Sequence, residues 1–312
     1  MTPGPAILLM GPTAAGKTDL AVGLVERYPL EIVSVDAAMV YRGMDIGTAK
    51  PSRELLARAP HHLVDLIDPV ESYSAARFLA DADAATKAIR ARGRTPLFVG
   101  GTMLYFRALQ SGLARLPAAD PAIRQRIEER AGLAGWPALH AELARLDPAT
   151  AARIRPNDRQ RIQRALEVIE RTGRQLSEQL AEDLRGATRR EHLRLVLAPA
   201  DRAALAERIA ERFDAMLRQG LLDELRSLRA RGDLHAELPA MRLIGYRQLW
   251  SHLDGHSSLA EATEKAVVAT RQLARRQLTW LRAEPGAEWF DALDSGTPER
   301  IAVRVAEWLR NR

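Results

Sequence analysis

Near the amino end of the chain, Gly11, Pro12, Thr13, Ala14, Ala15, Gly16, Lys17 and Thr18 spell G-x-x-x-x-G-K-T without a mismatch. The chemistry explains the spacing. The glycines let the backbone curl, so that successive N–H groups point inward at anionic oxygens. A helix opening near Lys17 adds the positive end of its dipole. Lys17 supplies a point charge, and the Thr18 hydroxyl can reach a Mg²⁺ ion. A chance match in a surface loop is the bland alternative. Here the loop follows the apolar run "AILL" and opens a helical pattern, which is the context the motif requires. Such a loop holds phosphates whatever organic group they carry. ATP or GTP is the usual occupant, but a pyrophosphate with another tail would fit as well. The aspartate that commonly ends an apolar strand and holds Mg²⁺ is missing from "LFVGG". "EIVSVD" does end in one, Asp36, yet "AAMVYRGMDIGTAK" after it reads as no nucleotide switch or base-reading motif.

The elements that must position these residues follow from the pattern of apolar runs. Residues 6–10, 31–36, 95–102 and 193–199 read as strands, and Leu20, Ala21, Leu24 and Val25 share one face of the helix behind Lys17. Alternation of buried strands with helices predicts an α/β fold: a parallel, P-loop NTPase-like sheet flanked by helices. In such sheets ligands bind beyond the carboxyl ends of the strands. Gly11–Thr18, Asp36 and Gly100–Thr102 all sit at such ends and should converge on one cleft. After "LARLPAADP" the chain is helical to about residue 190, where "LRLVLAP" returns to the sheet. The expected organisation is a catalytic core of residues 1–116 and 190–312, interrupted by an all-helical insertion of 117–189.

Composition narrows the function classes. The chain has 312 residues, 46% of them hydrophobic, and no cysteine, which excludes disulfides, thiolate metal sites and cysteine nucleophiles. No apolar stretch approaches the ~20 residues that cross a bilayer, and "AILLM" is too short for a signal peptide, so a cytoplasmic location is expected. The net charge of +6 is compatible with a polyanionic partner, but an arginine-rich composition gives the same surplus, so placement must decide. Two stretches place arginines on helix faces. In "RIRPNDRQRIQRALEV", Ile162, Leu166 and Ile169 share a face that Arg161 and Arg164 avoid. In "RQLARRQLTWLR", Arg271, Arg275 and Arg282 oppose Ala274, Leu278 and Leu281. Such faces either meet RNA or are simply solvated. His61 and His62 lie adjacent with no carboxylate cluster at zinc spacing, which favours a hydrogen-bonding role over a metal site.

"GPTAAGKT", "SVDAAMVYRGMDIGTAKP", "HHLVDLIDP", "YSAARF", "VGGTMLYFRAL", "RIRPNDRQRIQRALEV", "LIGYRQLW" and "ATRQLARRQLTWLR" occur in that order. Together they closely resemble the bacterial tRNA dimethylallyltransferases, over about residues 6–282. The resemblance implies transfer of a dimethylallyl group from dimethylallyl diphosphate to N6 of the adenosine 3′ to the anticodon (position 37) of tRNAs reading codons that begin with U. Pyrophosphate is released and Mg²⁺ is the cofactor. The partners implied are the tRNA anticodon stem-loop and the prenyl diphosphate, with no membrane and a monomeric enzyme.

The resemblance also assigns residues. The catalytic aspartate falls on Asp36, which would take the N6 proton; capping a turn or ordering Mg²⁺ are its alternatives. Thr102 falls at the reaction centre, or else caps the helix that begins "MLYF". The pyrophosphate arginine falls in "ERIAERFDAML", with Arg208 preferred to Arg212, four residues on and on the same helix face. Gly11–Thr18 would bind the diphosphate, with Thr18 also at the metal. Contacts to tRNA fall on Asp36, Ala37, Ala38, Met39, Thr102 and Arg124. They continue over Gln160, Arg161, Ile162, Gln163 and Arg164, over Arg242, Leu243, Ile244, Gly245, Tyr246 and Arg247, and on Arg275 and Arg276. Tyr246 would stack on an unpaired base, with core packing as its alternative. One departure stands out: the family commonly has serine where this chain has Ala37, which removes a hydroxyl beside Asp36. The rival readings are an ATP-dependent small-molecule kinase, a prenyltransferase acting on free adenylate, and a non-catalytic RNA-binding protein.

Overall fold

The structure, a computed structural model, describes residues 5–114, 116–185 and 191–311. In chain order the first elements are β1 (Ile7–Met10), α1 (Lys17–Arg27), β2 (Leu30–Val35), α2 (Arg53–Arg58), β3 (His61–His62), α3 (Ala75–Ala91), β4 (Thr95–Gly100) and α4 (Met103–Ser111). Helices α5 (Pro121–Ala134), α6 (Trp136–Leu146), α7 (Pro148–Ala151), α8 (Arg159–Thr172) and α9 (Leu176–Arg185) follow. The chain then returns through β5 (Leu193–Ala198), α10 (Arg202–Arg218), α11 (Leu221–Ala230), α12 (Tyr246–Leu253), α13 (Leu259–Arg282), β6 (Glu288–Asp291) and α14 (Thr297–Arg310).

The strands form one sheet in the order β3-β2-β4-β1-β5-β6, with every pairing parallel. This is the α/β fold that the apolar runs predict. Period-2 alternation divides the four central strands between two cores. Leu8, Met10, Val33, Val35 and Phe98 pack on one face of the sheet, and Ile7, Leu9, Ile32, Leu97 and Val99 on the other. Phe98 is fully buried. Phe98→Ala should therefore cost about 3–5 kcal/mol, read as a lower urea midpoint at unchanged slope.

Strands β3 and β6 escape the sequence reading because neither carries a period. The first is two residues long, and the second reads "EWFD". A third apolar cluster, built on Tyr41, Met44, Phe213, Leu221, Tyr246, Leu249 and Trp250, underpins the segment that follows β2.

Contacts divide the chain into two compact units, Met1–Gln110 with Arg190–Arg312, and Ser111–Arg189. The sequence reading starts the insertion at 117, within the segment after α4; its far boundary, at 189/190, lies outside the described residues. The second unit is helical, cored by Ile127, Leu143, Ile162 and Leu166 among others. Three of its helices, α5, α7 and α8, start on aspartate caps at Asp120, Asp147 and Asp158. No helix among the described residues is long and apolar enough to cross a membrane.

Candidate active site

Strand register brings the site residues together. Met10 pairs with Gly100, and Val35 pairs with Gly100 from the other side. Gly11, Asp36 and Gly101 therefore leave three adjacent strands at the same level. Beyond them lies a cleft of about 810 Å³, walled by residues 13–19, Asp36, Met39, Lys50, Gly100, Gly101, Arg208, Arg212 and Gln277 among others.

The loop turns into α1 at Gly16, whose φ of +84° is a left-handed conformation that a side chain would strain. No side chain caps this helix start, which leaves its first N–H groups to an anion. Lys17 Nζ donates to the Pro12 carbonyl at 2.6 Å. Desolvation by the surrounding wall, then the charge of Arg212, lowers the Lys17 ammonium to about pKa 7, with Asp36 opposing. Arg212 Nη1 reaches Thr13 Oγ1 at 3.4 Å. Burial lowers the Arg212 guanidinium and Asp36 pulls it back up. Arg208 flanks the same loop, its Nη2 lying 3.6 Å from where a Cβ on Gly16 would sit. Both arginines wall the cleft. Arg212, the second choice from sequence, is the one in the field of Lys17 and Asp36. Such a cage of half-buried cations suits a polyanion.

Asp36 accepts the Ala38 N–H at 2.8 Å, a local turn that leaves its other oxygen available. Thr102 joins the strand ends. Its N–H donates to the Val35 carbonyl at 3.2 Å, and its Oγ1 accepts the Ala37 N–H at 3.1 Å. Its carbonyl starts α4 by accepting from Tyr105 and Phe106. The hydroxyl oxygen is thus engaged on the Asp36 turn instead of on the first turn of its own helix.

Two wall residues have no assigned role in the sequence reading, although both lie in stretches quoted for the resemblance. Lys50, its side chain 3% exposed, donates to the Tyr41 carbonyl, Asp45 and Asp65, and pins the segment after Asp36. Gln277, from α13, links the phosphate loop to Gly101. Its only trace in the sequence is a polar residue beside Leu278 on an otherwise apolar face.

Oxygen donors suited to a hard cation are present in Thr18 and Asp36, both on the cleft wall. Among the described residues no cluster of three carboxylate or histidine groups could hold a metal alone. A Mg²⁺ here would share its shell with substrate phosphates, and the donor set fits that. His61 also lines the cleft, but both histidines have partners: His61 Nδ1 meets the Ala59 carbonyl at 2.6 Å, and His62 Nε2 meets Glu31 at 2.8 Å.

The residues expected at tRNA separate into three groups. Gln160, Arg161, Arg242, Arg247, Arg275 and Arg276 are exposed, and Ala37, Ala38, Met39, Leu243 and Ile244 are half-buried. Arg124 and Arg164 both clamp the fully buried Glu167, at 3.0 and 2.7 Å, and Gln163 bonds Glu128 at 2.9 Å. These three build the helical unit, and Arg124 and Arg164 keep part of their surface free. The third group corrects the sequence reading. Ile162 is fully buried in the core of its own unit, so its side chain is closed to RNA. Gly245 is buried, and Tyr246 is fully buried. Its hydroxyl donates to Glu224 at 2.5 Å, and Glu224 in turn accepts the N–H groups of Asp45, Ile46 and Gly47. Tyr246 holds the segment after Asp36 and does not stack on a base.

Sheet, loop and cation cage define the class: an α/β protein with a phosphate-loop motif at the end of β1, walled by Lys17, Arg208 and Arg212. A family model described as IPP transferase matches residues 39–284. The tRNA dimethylallyltransferase of Thiobacillus denitrificans is 60% identical over 305 residues, covering 98% of this chain and 97% of its own. The crystal structure of a tRNA isopentenylpyrophosphate transferase from Bacillus halodurans superposes with a TM-score of 0.72 at 36% identity, over 98% of this chain and 97% of that one. A eukaryotic dimethylallyltransferase crystallised while acting on tRNA gives a TM-score of 0.85 at 25% identity, over 99% of this chain and 80% of that one. The chain belongs to the IPP transferase family.

Proposed function

We propose that this chain is a tRNA dimethylallyltransferase, transferring the dimethylallyl group of dimethylallyl diphosphate to N6 of the adenosine at position 37 of tRNAs that read codons beginning with U. The observation that carries the reading is the cage of Lys17, Arg208 and Arg212 around the phosphate loop, with Asp36 at its edge. Backbone N–H groups of residues 14–18 and the three cations hold the diphosphate, and their pull grows as the C–O bond lengthens and charge gathers on the leaving oxygen. The free oxygen of Asp36 accepts the N6 proton as the N6–C1 bond forms, and pyrophosphate leaves with the C–O electron pair. Thr102, just past β4 and tied to Ala37, holds the Asp36 turn at the end of β2. A Mg²⁺ held by Thr18, with Asp36 near, would neutralise phosphate charge. The target adenine must leave its stack to reach this cleft, and the exposed Arg161, Arg242, Arg247, Arg275 and Arg276 supply phosphate contacts.

The test incubates the protein and Mg²⁺ with labelled dimethylallyl diphosphate and unmodified tRNA, alongside AMP as acceptor and ATP as sole substrate. Label at position 37 of the tRNA is the expected result. Label on AMP alone would move the activity to free nucleotides. ATP turnover without prenyl transfer would return the loop to kinase chemistry.

A further inference from the structure

Gln277 is buried on α13, a helix whose opposite face is exposed at Arg275, Arg276 and Arg282. Its carbonyl Oε1 accepts the Thr13 N–H at 3.0 Å, in the middle of the phosphate loop. Its Nε2 donates to the Gly101 carbonyl at 2.8 Å, one residue before Thr102. The amide orientation is forced, because Thr13 N–H can only donate and the Gly101 carbonyl can only accept. Gly101 completes the fit. A Cβ there would lie 2.4 Å from Gln277 Nε2. From Gly101 the connection runs on through Thr102 Oγ1 to the Ala37 N–H, and so to the Asp36 turn.

We propose that Gln277 is a positioning residue for the transfer reaction: a strut that fixes the diphosphate-holding loop at its working distance from the Thr102–Asp36 corner. The proposal rests on the prenyl-transfer reading above. In that reaction one substrate is held by residues 14–18 and the proton acceptor for the other stands on β2. Beyond the β1–β4 ladder, which ends at the pair Met10 and Gly100, no further backbone hydrogen bond ties the phosphate loop to Gly101 or Thr102 among the described residues. The side chain of Gln277 sets that separation from a third element. It touches neither reacting atom, so its loss leaves the charges of the cage in place and changes only their placement.

The side chain has one length and one polarity that suit the gap. Leucine fills the space and abandons both backbone groups. Glutamate keeps the bond from Thr13 but sets a carboxylate oxygen against the Gly101 carbonyl, which repels it. Protonated, the same glutamate can accept on one oxygen and donate from the other, as the amide does. Gln277→Leu should lower kcat by about 10²-fold, the usual cost of misplacing reacting groups by about 1 Å, with the KM for tRNA within a factor of about 3 of wild type. Gln277→Glu should fall as far at pH 8. Its rate relative to wild type should then recover at least tenfold as the pH is lowered to 5.5.

The experiment measures steady-state transfer of labelled prenyl group to tRNA for wild type, Gln277→Leu and Gln277→Glu between pH 5.5 and 8, with circular dichroism at each pH. Wild-type transfer, a kcat defect and a rising Glu-to-wild-type ratio at low pH support the strut. A rate for both variants equal to wild type overturns it, as does a Gln277→Glu defect that is independent of pH, since a packing role would not respond to that proton. If Gln277→Leu fails to fold, the Glu ratio alone decides. Absence of transfer by wild-type protein would instead overturn the functional reading.

Discussion

Asp36→Asn should transfer the dimethylallyl group to tRNA about 10²–10⁴-fold more slowly than wild type, the usual contribution of a positioned general base. Its binding of dimethylallyl diphosphate and of tRNA should stay close to wild type. Asparagine is the informative replacement. Its Oδ1 can still accept the Ala38 N–H that Asp36 accepts at 2.8 Å, so the turn is preserved while the proton acceptor is lost. A turn cap would survive the exchange with nearly full activity, and that result would remove Asp36 from the chemistry. Single-turnover kinetics with saturating tRNA separates the two, because product release then drops out of the measured rate.

The second large effect lies at Lys17. Without an anion its ammonium is held to about pKa 7 by burial and by Arg212. A bound diphosphate sets negative charge beside it and outweighs both effects. The sign follows from linkage. Below pH 7 Lys17 is charged before and after binding, and this group adds no pH dependence. Above pH 7 the empty site carries a neutral lysine, binding must take up a proton, and affinity falls with rising pH. The dissociation constant of dimethylallyl diphosphate should therefore rise toward about tenfold per pH unit above pH 7. Lys17→Arg should flatten that slope, because a guanidinium stays charged throughout. Lys17→Met should lower kcat by about 10²–10³-fold, the range for removing one group that stabilises transition-state charge. Isothermal titration of the diphosphate from pH 6 to 9 reads the slope, and a flat wild-type profile would show that Lys17 stays protonated in the empty site.

Much of this was legible in the chain itself. The four central strands announce themselves because both faces of a parallel sheet are buried, which makes each an unbroken apolar run. The phosphate loop is local chemistry, complete within Gly11–Thr18, and its strand and helix flanks are its nearest neighbours. Asp36 and Gly100–Thr102 follow from a rule about strand ends that needs no knowledge of strand order. Helix faces too were readable: Ile162 and Leu166 are buried as their spacing requires, and Arg161 is exposed.

What the sequence by itself determined, then, is whatever one element settles alone: the runs that become strands, the loop that holds phosphates, and the residues that end the central strands. The tertiary structure decided the rest, because those properties depend on what packs against an element from far along the chain. Arg208 and Arg212 share a helix face, and only the approach of α10 to the loop places Arg212 beside Lys17 and Asp36. Tyr246 looks like any aromatic among arginines until Glu224 and the 45–47 backbone close over it. Arg124 and Arg164 look like free cations until a buried Glu167 meets both. Gln277 stands 264 residues from its partner Thr13. A hydrogen bond over such a separation has no periodicity or composition to betray it; it exists only once the sheet has closed and α13 has packed behind it.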